Sequence, residues 1–274
     1  MPPLSCRSLN CAIGDPLGIR LFPRRFQGFM VTHVLLIEHE ERLTLIDAGL
    51  SVAELENPSL LGAFARALRF RPEPERAAIH QIRALGYDPA QVTDIVLTHL
   101  DLDHAGGLVD FPDARVHVHP QELAAARARR TFGEKLRYRP HQWEKALWVE
   151  ATAETTELSP GVEAIQLEGV ADGGVYLVPL FGHTRGHSGV WIRNGDSPVL
   201  HCGDAYYDHS ERTLRPSLIF ELFKRSVHVE PRLAKESLAR LDLYTAAVPA
   251  LRVISTHDPS ELEGAYPTSS TPPR

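Results

Sequence analysis

Thr98-His99-Leu100-Asp101-Leu102-Asp103-His104-Ala105-Gly106-Gly107 places four potential metal ligands within six residues. The stretch follows an apolar run, Thr93 to Leu97 (TDIVL), that reads as a buried strand. The ligands therefore stand where the chain turns and side chains can converge. A helix would carry His99 and Asp103 one turn apart on one face, but the leading strand and the trailing Gly106-Gly107 favour a loop. Imidazole nitrogen and carboxylate oxygen are the donors that a borderline cation such as Zn²⁺ takes at about 2.0–2.2 Å.

Working outward, three more turns carry the same chemistry at strand ends. They hold His183 in Phe181-Gly182-His183-Thr184-Arg185-Gly186-His187, Asp204 in Cys202-Gly203-Asp204, and His257 in Ser255-Thr256-His257-Asp258. One His/Asp cluster alone could be a solvated loop, but four ligand-bearing turns after apolar strands argue for a site. Upstream, Met30 to Ile37 and Leu43 to Ile46 read as a hairpin whose second strand ends at Asp47-Ala48-Gly49. Apolar spacing predicts two helices between about 58 and 85, split by Pro72 and Pro74. Further on it predicts a strand at Arg115 to His119, a helix at Gln121 to Arg130, strands near Val162–Leu167, Val175–Leu180, Gly189–Ile192 and Val199–His201, a helix from Pro231 to Leu243, and a last strand at Leu251 to Ser255. No repeat or linker divides the chain. We expect one domain over 1–274, with insertions near 55–85 and 130–160 and a frayed tail from about Gly264. Strands alternating with helices point to an α/β fold of sheets flanked by helices.

Composition sets the outer bounds. The 274 residues are 43% hydrophobic and 23% charged with net charge −6, which suits a packed core and excludes disorder as the main state. A mildly acidic balance argues against nucleic acid as a partner, and the lack of a long apolar run argues against a membrane span. Nothing at the start reads as a signal peptide, and the three cysteines (Cys6, Cys11, Cys202) have no disulfide or paired-cysteine zinc spacing. Both points lead us to expect a cytoplasmic protein.

These motifs, in this order from about Met30 to His257, resemble the metallo-β-lactamase superfamily, and within it the N-acyl-homoserine-lactone lactonase-like hydrolases. The resemblance implies an αββα sandwich with a metal site along one edge of two mixed sheets. It implies that metal one is held by His99, the residue at 101 and His183. Metal two then takes Asp103, His104 and His257, with Asp204 bridging. Asp47 becomes a structural acid behind the ligands and His187 a packing or outer partner. Tyr207 matches a tyrosine that faces the substrate oxygen in the lactonases; its plainer reading is a pocket-wall aromatic. The family motif usually has His where this chain has Asp101. A carboxylate there either adds a negative charge to metal one, making iron or manganese more competitive with zinc, or leaves that metal short of a ligand. We expect it to be a ligand, because an unpaired buried carboxylate is costly.

The implied reaction is opening of a lactone or cleavage of a carboxylic ester by a metal-bridging hydroxide, with Asp103 and Tyr207 as catalytic groups. The substrate is then a small molecule. A metal-bound sensor with little turnover and a di-iron redox enzyme are the alternatives. Aromatic-rich insertions, Phe132 to Trp148 (with Tyr138, Trp143 and Trp148) and Leu218 to Phe223, either wall the pocket or pack onto the sandwich or onto a second subunit as a homodimer. Arg137, Arg139 and Lys224 could read a carboxylate, although long basic side chains are more often solvated. His117 and His119 read as surface or packing residues, and Cys202 as a small buried thiol. His33, His39, His80, His141, His201, His209 and His228 fit no motif.

Overall fold

Alternation along the strands assigns the layers. In β2 (Met30–His39), Leu35 and Ile37 face one way and Val34 and Leu36 the other, and both sets are buried. A strand covered on both sides reads as an unbroken apolar run, which is how this one reads. In the computed structural model, residues 4–17, 19, 28–214 and 217–262 are described, apart from the side chains of 63–65. The tail expected to fray from Gly264 lies outside them.

The first sheet runs in chain order from β1 (Ser5–Gly14) through β2, β3 (Arg42–Ile46), β4 (Val92–Val96) and β5 (Arg115–Val118) to β6 (Leu147–Glu150). Pairing is antiparallel from β1 to β3 and parallel from β3 to β6. The second sheet holds β7 (Thr155–Ser159), β8 (Val162–Gln166), β9 (Val175–Pro179), β10 (Ser188–Ile192), β11 (Val199–His201) and β12 (Arg252–Ile254), antiparallel except for the β11–β12 pair. The α-helices are α1 (Val52–Glu56), α2 (Gly62–Leu68), α3 (Ala78–Ala84), α4 (Leu102–Ala105), α5 (Pro120–Ala128), α6 (Phe132–Arg137), α7 (Pro140–Trp143), α8 (Leu218–Val227) and α9 (Pro231–Ala247).

Between the sheets, Leu35, Ile37, Ile46 and Val96 meet Leu177, Val190 and Ile192. Outside the first sheet, Leu45, Ile95 and Val116 share a cluster with Ile82 of α3 and Leu123 of α5. Outside the second, Tyr176, Val178 and Trp191 share one with Leu241 and Tyr244 of α9. Each such buried aliphatic or aromatic side chain is worth about 1.5–3 kcal/mol over leaving it in water. The result is an αββα sandwich of two mixed sheets, as the sequence suggests.

Several elements differ from expectation. β1 was not foreseen, because its Ser, Arg, Asn and Cys break any apolar alternation; pairing with β2 holds it at the sheet edge. The segment near 130–160 is more than an insertion, since after α6 and α7 it supplies β6 and β7, one edge strand of each sheet. α8 also went unseen. Lastly, the ligand stretch is no simple loop. It runs from strand β4 into the helical turn α4, whose N-cap is Asp101.

Candidate metal centre

The side chains singled out in the sequence converge at one edge of the sandwich. Asp47 follows β3, His99 follows β4, His183 lies between β9 and β10, Asp204 follows β11 and His257 follows β12. Asp101 caps α4 with its backbone only: its carbonyl accepts from the His104 and Ala105 amides, and the side chain makes no capping bond. The carboxylate is thus free to turn to the site, where Oδ2 lies 3.1 Å from His183 Nε2 and 3.5 Å from His99 Nε2.

Asp204 stands in the middle. Its Oδ1 is 3.3 Å from His104 Nε2, while Oδ2 is 3.0 Å from His257 Nε2 and 3.5 Å from His183 Nε2. Asp103 Oδ2 lies 3.9 Å from His257 Nε2. Donors arranged tetrahedrally around an ion at about 2.0–2.2 Å stand roughly 3.3–3.6 Å apart, and three of these six separations fall in that range. Three triads emerge: His99, Asp101 and His183; His99, His104 and Asp204; Asp103, His104 and His257. Nε2 of His99, Nε2 of His104 and Oδ1 of Asp204 are buried without a hydrogen-bond partner. Buried orphans of this kind are costly. Cations held among these donors would satisfy them, so the residues fit a divalent metal centre.

Partners behind the donors fix the imidazole rings. Asp47, fully buried and at φ 60°, places Oδ2 2.8 Å from His104 Nδ1 and accepts from the Thr98 amide and hydroxyl. Thr98 Oγ1 also lies 2.9 Å from His99 Nδ1. His257 Nδ1 donates to the Val31 carbonyl at 2.8 Å, leaving Nε2 free to face the site. His187 donates from Nδ1 to Leu180 O and accepts the Asp204 amide at Nε2. It therefore holds Asp204's backbone and does not itself face a metal; burial pushes it down to about 3, keeping it neutral. Gly203 must be glycine here, since at φ 55° a Cβ would stand 2.6 Å from His187 Nε2.

Electrostatics separates the donors. Burial alone would raise Asp204, but His257, His104 and His183 outweigh it and hold the carboxyl well below its usual range. Burial also lowers imidazoles, yet Asp47 and Asp204 together lift His104 well above its ordinary value. His183 goes the other way, driven well down by burial and then by Arg137.

Tyr207 reaches the site. Its ring stacks on His257 at 5.4 Å, its hydroxyl is 3.3 Å from His183 Nδ1, and burial followed by the charge of Asp204 raises it well above its usual value. It lines a cleft with Asp103, Met30, Phe70, Phe223 and Val227. Of the aromatics expected as walls, only Phe223 lines that cleft. Tyr138 and Trp143 are buried against the first sheet with Trp148 beside them, while Leu218 and Leu222 face solvent. Phe220 is buried behind Tyr207 and Phe223. Lys224 is paired with Glu211 and Glu221. Arg137, by contrast, is not solvated but enters the centre.

Two residues at the site went unrecognised in the sequence. Glu122 is fully buried and accepts from the Leu100 and Gly186 amides and the Tyr138 hydroxyl, tying together two ligand loops and α6. His228 places Nδ1 3.1 Å from His183 Nδ1. Neither stands in a motif; a carboxylate in the Ala-rich α5 was the only signal. His117, expected on the surface or in packing, is buried against Asp94, and His119 caps α5.

Residues 28–257 match the metallo-beta-lactamase superfamily. The chain belongs to that superfamily. It is 33% identical over 272 residues to "Probable metallo-hydrolase Rv2300c" of Mycobacterium tuberculosis, covering 98% of this chain and 84% of that protein. It is 28% identical over 196 residues to the N-acyl homoserine lactonase AttM of Agrobacterium fabrum, covering 67% and 69%. Among solved structures, an N-acyl homoserine lactone hydrolase with N-hexanoyl-L-homoserine at its catalytic metal centre superposes with a TM-score of 0.68 at 20% identity, over 97% of this chain and 98% of that one. The protein is thus a metallo-hydrolase of the metallo-beta-lactamase superfamily with lactonase-like neighbours.

Proposed function

We propose that this metallo-hydrolase opens a lactone, or cleaves a related carboxylic ester, at a two-metal centre. The observation that carries the reading is Asp204, whose carboxylate stands between the two donor sets, 3.3 Å from His104 and 3.0 Å from His257 of one and 3.5 Å from His183 of the other, beside the Tyr207 hydroxyl. Similarity to lactonases such as AttM supports the substrate class. His99, Asp101 and His183 would hold one ion and Asp103, His104 and His257 the other, with Asp204 between them. Zinc is the ion we propose, with iron or manganese competing because of the Asp101 carboxylate. When bound, such ions supply Lewis acidity and a water acidic enough to ionise near neutral pH.

The chain's own groups do the rest. With Nε2 of His183 given to a cation, its ring proton would sit on Nδ1, shared between His228 Nδ1 and the Tyr207 oxygen, so the phenol proton would be free for a substrate carbonyl or departing alkoxide. Held above its usual range, that phenol stays protonated at neutral pH. Asp103, held by the Thr32 hydroxyl at 3.5 Å, faces the same cleft and can orient the attacking water and carry its proton to the leaving oxygen. Met30, Phe70 and Phe223 offer an apolar wall for an acyl body.

The substrate is a small molecule, and a cytoplasmic setting is supported by Cys11 and Cys202 being buried thiols outside any disulfide. No helix among the described residues is long and apolar enough to cross a membrane. The test is proton release by zinc-loaded protein against a panel of acyl-homoserine lactones, simple lactones and aryl esters. Turnover of a lactone, abolished by a chelator and restored by zinc, is expected. Ester turnover with every lactone refused would overturn the lactone assignment.

A further inference from the structure

Arg137 is not a member of the donor set, yet it stands inside it. It is the last residue of α6, and its side chain is 12% exposed. Nη1 lies 2.9 Å from Asp101 Oδ2 and 3.1 Å from His183 Nε2, the nitrogen that faces the site. Nη2 donates to the Val227 carbonyl at the end of α8, and Nη1 also lies 3.4 Å from the His183 carbonyl. The guanidinium is therefore anchored on two backbone segments and cannot lose its charge.

An imidazole nitrogen has one lone pair. An N–H pointed at His183 Nε2 uses the pair that a metal would need, and the same guanidinium pairs with Asp101 Oδ2. A second divalent ion entering here also meets a fixed positive charge at contact distance in a site shielded from water. Around His104 the surroundings are the reverse. Its outer nitrogen meets the Asp47 carboxylate and its inner nitrogen the Asp204 carboxylate. The contest is confined to His183: Nε2 of His99 and Oδ1 of Asp101 in the same half, like Nε2 of His104 in the other, lack hydrogen-bond partners, while Nε2 of His183 faces the guanidinium.

We propose that Arg137 is a built-in competitor at the first metal position, so that the chain binds one ion tightly at the His104–His257 half and a second weakly at the Asp101–His183 half. The acid at position 101 is then the anionic partner of an arginine as much as a metal ligand, and filling the first position means displacing the guanidinium from His183. The inference rests on the metal-centre reading above and not on the choice of substrate.

The test is a zinc titration of metal-stripped protein against a chromophoric chelator, with no substrate present. Wild type is expected to show two dissociation constants at least about 30-fold apart, a separation of roughly 2 kcal/mol. Arg137→Gln and Arg137→Met are each expected to tighten the weaker constant by about tenfold or more and to leave the tighter one within about twofold, which also reports that the variant is folded. Equal constants in wild type, or a weak constant that is unchanged or weaker in both variants, overturn the proposal. If both variants fail to bind the tight ion, Arg137→Lys decides. Its ammonium lacks the planar fork, so it must tighten the weak position several-fold, and no change there overturns the proposal. A wild type that binds no zinc at all overturns the metal-centre reading too, whereas two unequal ions without lactone turnover overturn only the substrate.

Discussion

His104 has Asp47 at 2.8 Å behind it and Asp204 at 3.3 Å in front, whereas His183 has His228 and Tyr207 behind it and shares its front with Asp101 and Arg137. Both rings are buried, and burial lowers both. At His104 the two carboxylates outweigh burial, and at His183 the arginine adds to it. One half of the centre draws positive charge and the other turns it away, although each is made of histidines and one aspartate around Asp204. Counting donors therefore does not rank the two positions; the charges standing one layer behind them do.

Asp204→Asn tests what the halves share, and the largest effect is expected there. One neutral oxygen cannot serve two cations, so kcat/KM on whichever substrate is turned over should fall about 10³-fold or more. Elemental analysis should show loss of both ions; retention of two would separate the halves more completely than the distances allow. Asp47→Asn strikes one half only. Losing the carboxylate behind His104 is expected to weaken the tighter zinc by about 10–100-fold, the range typical of such outer partners. If the weaker ion is lost instead, the two positions have been ranked in the wrong order.

Tyr207 touches both halves, stacking on His257 and reaching His183. If its hydroxyl meets the substrate rather than the metal, Tyr207→Phe should lower kcat about tenfold, the effect of one lost hydrogen bond to a developing charge, with metal content unchanged. Loss of zinc in that variant would return Tyr207 to a supporting role behind His183.

The difference between the halves also tracks what the sequence made visible. Donors and Asp47 sit at strand ends in short turns, where His, Asp and Gly among apolar runs are conspicuous, and the residues chosen from these turns all meet at the site. Arg137, Glu122 and His228 act across long stretches of chain, from α6, α5 and the end of α8. Arg137 lies 46 residues from His183, and Glu122 lies 64 from Gly186. Nothing local distinguishes such an arginine from a solvated one. Edge strands β1, β6 and β7 escaped for a related reason. β6 and β7 are largely exposed and β1 mixes polar residues into its run, so none shows a continuous apolar stretch, and their place is fixed by pairing with a neighbour. α4 was misread because its single turn follows a strand and ends at glycines, both of which look like a loop.

His228 offers the finest test of the comparison. Burial lowers its ring to about 4, so at neutral pH it is uncharged and one nitrogen can accept. For His183 Nε2 to hold a cation, the ring proton must sit on Nδ1, and His228 Nδ1 at 3.1 Å is the nearest acceptor, with Tyr207 at 3.3 Å behind it. His228→Ala removes the first acceptor but leaves the second. It should therefore loosen only the weaker zinc, and by only about threefold to tenfold, below the loss from Asp47→Asn, which removes a carboxylate charge and leaves a neutral amide and the Thr98 hydroxyl at 3.4 Å behind His104. The same chelator competition measures both. A loss at the tighter ion would mean that His228 acts on the whole edge of the sandwich, and no loss at all would leave Tyr207 as the group that sets the His183 tautomer. Combining His228→Ala with Arg137→Gln sharpens the point further. If the two act on one ring nitrogen each, tightening from the arginine variant should exceed loosening from the histidine variant, and the double variant should bind its second ion more tightly than wild type.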